Sequence, residues 1–198
     1  MTQGFAARFP LLFHVTERSA LPSIARHGLL SAAALARRLG AAPDLGANRG
    51  AWTRLATPVG EALLRRQGMP DAALASRLDP AIALGDWRRF INAQVFLFPA
   101  EAAAWRLLRA EPGRDQVVLA YPTAALLAAG CALAFCRFNN GFIDRSPPGR
   151  RRRRSFADYR PVAEWPGGPA PREVTVAGGI PAGVPFALRA EADPLSAS

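Results

Sequence analysis

The sequence predicts an α+β domain, and three observations carry that reading. Short apolar runs with strand character recur at 11–16, 93–98, 116–121, 131–138 and 172–177. Stretches with helical spacing and capping residues lie between them. Half of the 198 residues are apolar, which supplies one packed core and fits a single domain spanning 1–198.

In chain order, "LLFHVT" (11–16) reads as a buried strand. Ser19 is placed as an N-cap, Pro22 falls in a first turn and Gly28 follows a last turn, so 20–27 reads as a short helix with Ile24 on its inner face. Ser31 caps a second helix, "AAALARRL", which Gly40 ends. Residues 41–56 carry no clear period and read as a long loop, whereas 58–78 read as helical with a break near Gly68 and Met69. Asp86 is placed as the cap of "WRRFI", and "AQVFLF" (93–98) is a central strand followed by a helix over 100–109. "QVVLAY" (116–121), a helix at 122–129 and the strand "CALAFCRF" come next. Residues 139–171 are rich in Pro, Gly and Arg without period and read as a flexible excursion. The strand "REVTVA" (172–177) puts Val174 and Val176 on one face and Glu173 and Thr175 on the other.

The formal net charge is +10 and every basic residue is arginine; lysine is absent. Together with the Ala, Gly and Pro content this points to GC-rich coding, yet the charge still attracts phosphate-bearing partners, DNA or RNA among them. No apolar run reaches the length of a membrane span, since the longest, at 124–136, is interrupted by Gly130. The N-terminus carries no signal-peptide pattern. Cys131 and Cys136 are placed on opposite faces of one strand and so stay unpaired. Two cysteines and two histidines without ligand spacing speak against a structural metal, and a reducing, cytoplasmic setting is expected.

The polar candidates are few. His14 and Thr16 lie two apart and share a face of the first strand; Glu173 opens the late strand; Asn92 and Gln94 flank the start of "VFLF". Such a set suits a sugar and an amide. Each has a structural alternative: His14 bonded to a carbonyl, Thr16 closing a turn, Glu173 solvated. Arg150, Arg151, Arg152, Arg153 and Arg154 form an unbroken run after Pro147, Pro148 and Gly149. It reads as a solvated loop at the mouth of a cleft, with one or two arginines turned toward an incoming nucleic acid or a pyrophosphate.

The linked pattern "FHVTERSALPSIARHGLLS" resembles the opening of the ADP-ribosyltransferase fold of DarT-like and RNA 2′-phosphotransferase-like proteins, and "PREVTVAGGIPAG" resembles the strand that carries its catalytic glutamate. With "FINAQVFLF" and "RSPPGRRRRRSFADY", the chain as a whole is similar to a bacterial family described as DUF7002, a domain of unknown function. The resemblance implies a split β-sheet surrounded by helices and NAD as substrate without a metal. His14, Thr16 and Asn92 would bind NAD, joined by Arg49 or Arg54, between which no motif chooses. Glu173 would be catalytic, stabilising the cationic ribose as nicotinamide leaves, and should meet His14 and Thr16 in one cleft. The implied activity is NAD-dependent ADP-ribosyl transfer, with DNA or RNA as an acceptor suggested by charge. NAD hydrolysis and a non-catalytic nucleotide- or nucleic-acid-binding module are the other functions open to this sequence.

Overall fold

The computed structural model describes residues 2–141 and 153–190. Its architecture is mixed α and β: small antiparallel sheets with seven α-helices around them among the described residues.

Alternation along the first strand, β1 (Leu11–Glu17), builds the centre. Leu12 is fully buried on one face, while Phe13 and Val15 are buried on the other. β1 pairs antiparallel with β6 (Gln116–Pro122), and a short outer strand, β11 (Ala187–Arg189), pairs with the far edge of β6. A second sheet has the order β5 (Gln94–Leu97), β9 (Glu173–Ala177), β7 (Leu133–Cys136), β8 (Arg160–Pro161). The two sheets are joined where Phe13 and Phe98 exchange both backbone hydrogen bonds, at 2.9 and 2.7 Å.

Helices cover both faces of this assembly. α1 (Thr2–Arg8), α2 (Leu21–His27) and α7 (Thr123–Ala128) bring Phe5, Ile24 and Leu126 onto Leu12, Leu97, Leu119, Val174 and Val176. On the other face α6 (Glu101–Arg109) sets Ala104, Trp105 and Leu108 against Phe13, Val15, Phe98, Val118 and Ala120. Burying each large apolar side chain in these layers contributes about 1.5–3 kcal/mol. The Ser31 hydroxyl accepts the Ala34 N–H at 3.2 Å and caps α3 (Ala32–Leu39), which Gly40 ends at φ 63°. Gly28 is required by close approach as well as by φ: a Cβ there would lie 2.1 Å from the Ile180 carbonyl, where β2 (Leu29–Leu30) pairs with β10 (Gly179–Ile180).

Four local expectations change. Residues 53–64 form a hairpin, β3 (Thr53–Thr57) and β4 (Gly60–Leu64), where the sequence suggests the end of a loop and a helix. "EALLRRQ" has helical propensity, but Leu55, Ala62 and Leu64 share one face of the hairpin and bury it against Ala36 and Leu39. Tertiary burial outweighs local preference here. Within 58–78, helix is limited to α4 (Asp71–Ala75). Ser19 lies inside a 3₁₀ turn, Arg18–Ala20, and Ala20 stands at the cap position of α2. Asp86 lies inside the first turn of α5 (Leu84–Asn92), where it pairs with Arg89 at 2.7 Å. In the excursion expected at 139–171, residues 153–165 supply two 3₁₀ turns and β8, with Val162 buried and Trp165 set edge-on to Phe5 and Phe9. No helix among the described residues is long and apolar enough to cross a membrane. Cys131 and Cys136 are both free thiols.

Candidate functional site: an arginine cleft above a buried glutamate

Residues opposite each other on a ladder point to the same side, and neighbours along a strand point to opposite sides. Phe13 and Phe98 share the α6 face, whereas Leu97 pairs with Val174 on the other face. Glu173, one residue before Val174, therefore projects to the α6 side. His14 and Thr16 alternate with Phe13 and Val15 and project to the opposite side, with Leu12. The three residues expected to meet in one cleft are thus divided between the two faces of the ladder.

His14 is committed locally. Its Nδ1 lies 2.9 Å from the Phe96 carbonyl, so Nδ1–H is the donor. Loss of hydration of the charged ring lowers its pKa to about 4, against the opposing pull of the Phe96 carbonyl and with a smaller push from the nearby Arg65 cation. Thr16 is partly exposed on the same face. Asn92 is buried and ties the preceding loop down: its side-chain amide donates to the Leu45 carbonyl at 2.8 Å and its oxygen accepts from Arg49 at 2.7 Å. Arg49 is thereby fixed beside α5, with burial lowering its pKa. Arg54 lies on the exposed side of the hairpin in an ion pair with Glu61. Arg150, Arg151 and Arg152 lie outside the described residues. Arg153 is exposed, whereas Arg154 is only 5 % exposed and bridges to Leu78, so it is no solvated loop residue.

Glu173 is 4 % exposed. One carboxylate oxygen accepts the Asn140 backbone N–H at 3.1 Å and the Asn140 side-chain amide at 3.5 Å. The Cys136 thiol approaches the same oxygen at 4.0 Å. The Asn140 side chain also bonds the Tyr159 hydroxyl. Burial pushes Glu173 up to about 7, while the Asn140 N–H and the Arg154 guanidinium pull the other way. Burial also pushes the Cys136 thiol and the Tyr159 hydroxyl well upward, so both stay protonated at neutral pH.

Beside this cluster opens a cleft of about 560 Å³ lined by Arg77, Arg106, Arg137, Arg153, Arg154 and Arg172. Phe98 and Phe138 supply apolar surface, and no Asp or Glu is among the lining residues. Arg154 lies 4.7 Å from the centre of the Phe138 ring. The side chains of Arg106, Arg137 and Arg172 have no ion pair among the described residues. Low-dielectric walls with one sign of charge focus a field that favours anions, and guanidinium groups match phosphate geometry. Register explains part of this convergence. Cys136 faces Glu173 across β7 and β9, so Arg137 and Arg172 are the next residues beyond that pair and lie at the same end of the sheet. A second hollow of about 290 Å³, lined by Ile24, Tyr121, Pro181 and Phe186, is largely apolar. Among the described residues, no three His, Cys, Asp or Glu side chains gather as metal ligands do.

Arg77, Arg106, Arg137, Arg172, Asn140 and Tyr159 are absent from the site expected from sequence. For Arg137 and Arg172 the signal is positional: single arginines follow or precede the apolar runs at 133–136 and 173–177, where strands end.

The fold and site define a mixed α and β protein with a strongly cationic cleft. A model for a family of unknown function, DUF7002, matches residues 10–184, and the chain belongs to that family. Neither the curated proteins nor the solved structures contain a match.

Proposed function

We propose that the arginine cleft holds the pyrophosphate of NAD and that Glu173 serves cleavage of the nicotinamide–ribose bond, as in ADP-ribosyltransferases of split-sheet fold. The observation that supports this reading most is the set of six arginines around a cleft with no acidic lining residue, placed beside a buried carboxylate. Phe98 and Phe138 offer flat apolar surface to a base or pyridine ring. Departure of nicotinamide leaves a cationic ribose carbon, and an ionised Glu173 stabilises it. The ribosyl unit then passes to an acceptor hydroxyl or amine, which loses its proton; water in that role gives hydrolysis. Exposed Arg106, Arg137, Arg153 and Arg172 favour a nucleic-acid acceptor. In this reading His14 secures β1 against β5 through the Phe96 carbonyl, and the donor site is built without it.

The near-complete burial of Glu173 favours a second reading, a nucleotide-binding module without turnover. Titration with NAD and assay of free nicotinamide separate the two. Glu173→Gln should retain NAD binding and lose nicotinamide release, because it removes charge stabilisation commonly worth about 3 kcal/mol. Replacing Arg137 and Arg172 together by Ala should weaken NAD binding at least tenfold. Undiminished NAD affinity in that double variant sinks the assignment of the cleft; binding without any nicotinamide release by the unaltered protein leaves the module.

A further inference from the structure

Arg154 belongs to two environments at once. It lines the cleft, and its Nη1 donates at 3.4 Å to the carbonyl of Asn140, the residue whose backbone N–H Glu173 accepts at 3.1 Å, so its charge favours the ionised carboxylate. Two neighbours of Glu173 keep one charge state near neutrality. Cys136 of β7 is held as the thiol, and Tyr159, reached through Asn140, is held as the phenol. Asp158 bears on Cys136, and Arg77 on Arg154. Within Asn140 the side-chain amide nitrogen is bonded, whereas Oδ1 is buried and has no donor. A carboxylate cannot supply one, since both partners would be acceptors. A carboxylic acid at Glu173 could, by donating its O–H after a rotation of the Asn140 side chain.

We propose that a diphosphate ester lacking a positive ring, with ADP-ribose as the case tested, binds in the arginine cleft with net uptake of solvent protons by Glu173, less than one per ligand near neutrality, Arg154 being the cation for which phosphate and carboxylate compete. The inference rests on the reading of the cleft as a nucleotide site. A phosphate at Arg154 adds negative charge beside the cation whose field favours the ionised Glu173. The ionised carboxylate then loses its electrostatic support, and the proton settles on a carboxylate oxygen. Glu173 lies near its own titration midpoint, at about 7, so a modest change of field suffices. The pyridinium of intact NAD brings a compensating positive charge, so NAD should drive less uptake than ADP-ribose. Donor and product would then differ in the proton they carry with them.

The test is calorimetric titration of the full chain with ADP-ribose near pH 7.5, in two amine buffers of different ionisation enthalpy. Both phosphates of ADP-ribose are diesters that do not titrate in this range, so proton uptake belongs to the protein. We expect a fraction of a proton taken up per ligand bound. Affinity should fall about tenfold between pH 6 and 9, the equivalent of a one-unit rise of the Glu173 pKa on binding. Glu173→Gln should bind ADP-ribose with no proton uptake and no such slope. An infrared difference spectrum of the unaltered protein, showing a protonated carboxyl band appear on ADP-ribose addition, gives the same answer without any variant. Binding without proton uptake overturns the coupling and leaves the nucleotide site standing. Uptake that persists in Glu173→Gln also overturns it, and absence of ADP-ribose binding overturns both.

Discussion

His14 and Glu173 stand two strands apart on one ladder, and burial acts on them in opposite senses. His14 faces the α2 side, is neutral, and has its donor taken by a backbone carbonyl. Glu173 faces the α6 side, among arginines, with Asn140 as its direct hydrogen-bond partner. Loss of water lowers the basic group to about 4 and raises the acidic one to about 7. The difference separates a polar residue whose hydrogen bond is spent on joining two strands from one that lies beside an arginine-lined cleft, where we have proposed a ligand site.

The join that keeps the two faces distinct is the Phe13–Phe98 pair, and Phe98→Ala should be the most damaging change. It removes a large side chain that is 5 % exposed from the α6 layer and from the wall of the cleft, at a cost of about 3–5 kcal/mol by urea denaturation. Retention of unaltered stability would mean that the Phe98 side chain carries little of the α6 layer's packing.

The next effects sharpen the contrast through pH. Between 4.5 and about 7 the folded chain holds a proton on Glu173 that the unfolded chain has lost, so this group's stabilising contribution falls as pH rises. Glu173→Gln should therefore be more stable than the unaltered protein at pH 8, by on the order of 3 kcal/mol, and about equal at pH 4. His14 acts in reverse: between 6.5 and about 4 the unfolded chain takes up a proton that the folded chain refuses, so stability is lost as pH falls. His14→Asn, which keeps a donor near the Nδ1 position, should recover about 2 kcal/mol at pH 4. In the unaltered protein the two slopes oppose each other between pH 4.5 and 6.5. A denaturation series should be nearly flat there, tilting one way in each single variant. The smallest effect belongs to Arg54→Ala, whose exposed pair with Glu61 should matter by less than about 0.5 kcal/mol and leave ADP-ribose binding unchanged.

Much of the scaffold is legible in the sequence because it rests on local rules. The strands over 11–17, 94–97, 116–122, 133–136 and 173–177 follow from apolar runs, and α3 follows from Ser31 and Gly40. The hairpin at 53–64 is illegible because its two short strands carry Arg54, Glu61 and Leu63 outward and acquire an inner face only through α3. Glu173 stands out in sequence, but its environment does not. The cleft draws single arginines from 77 to 172, whereas the eye goes to the contiguous run, of which only Arg153 and Arg154 fall among the described residues at the cleft. His14 is misleading for a related reason: alternation fixes which residues share its face, but only the Phe13–Phe98 join shows that Glu173 is on the other one.

The order of strands also bears on how the protein is made. β9 lies between β5 and β7, yet it is the last strand of that sheet to be translated. On the ribosome, β5 and β7 emerge with the place between them empty, each presenting an unpaired edge. Arg106 and Arg137 are synthesised well before Arg172 and Glu173 arrive to complete the same end of the sheet. Until that strand is threaded in, a growing chain with ten more positive than negative charges in its finished form has no assembled cleft in which to seat an anion. The proposed ligand site would therefore exist only in the finished polypeptide, and nascent chains halted before residue 173 should neither hold ADP-ribose nor hide their strand edges from chaperones.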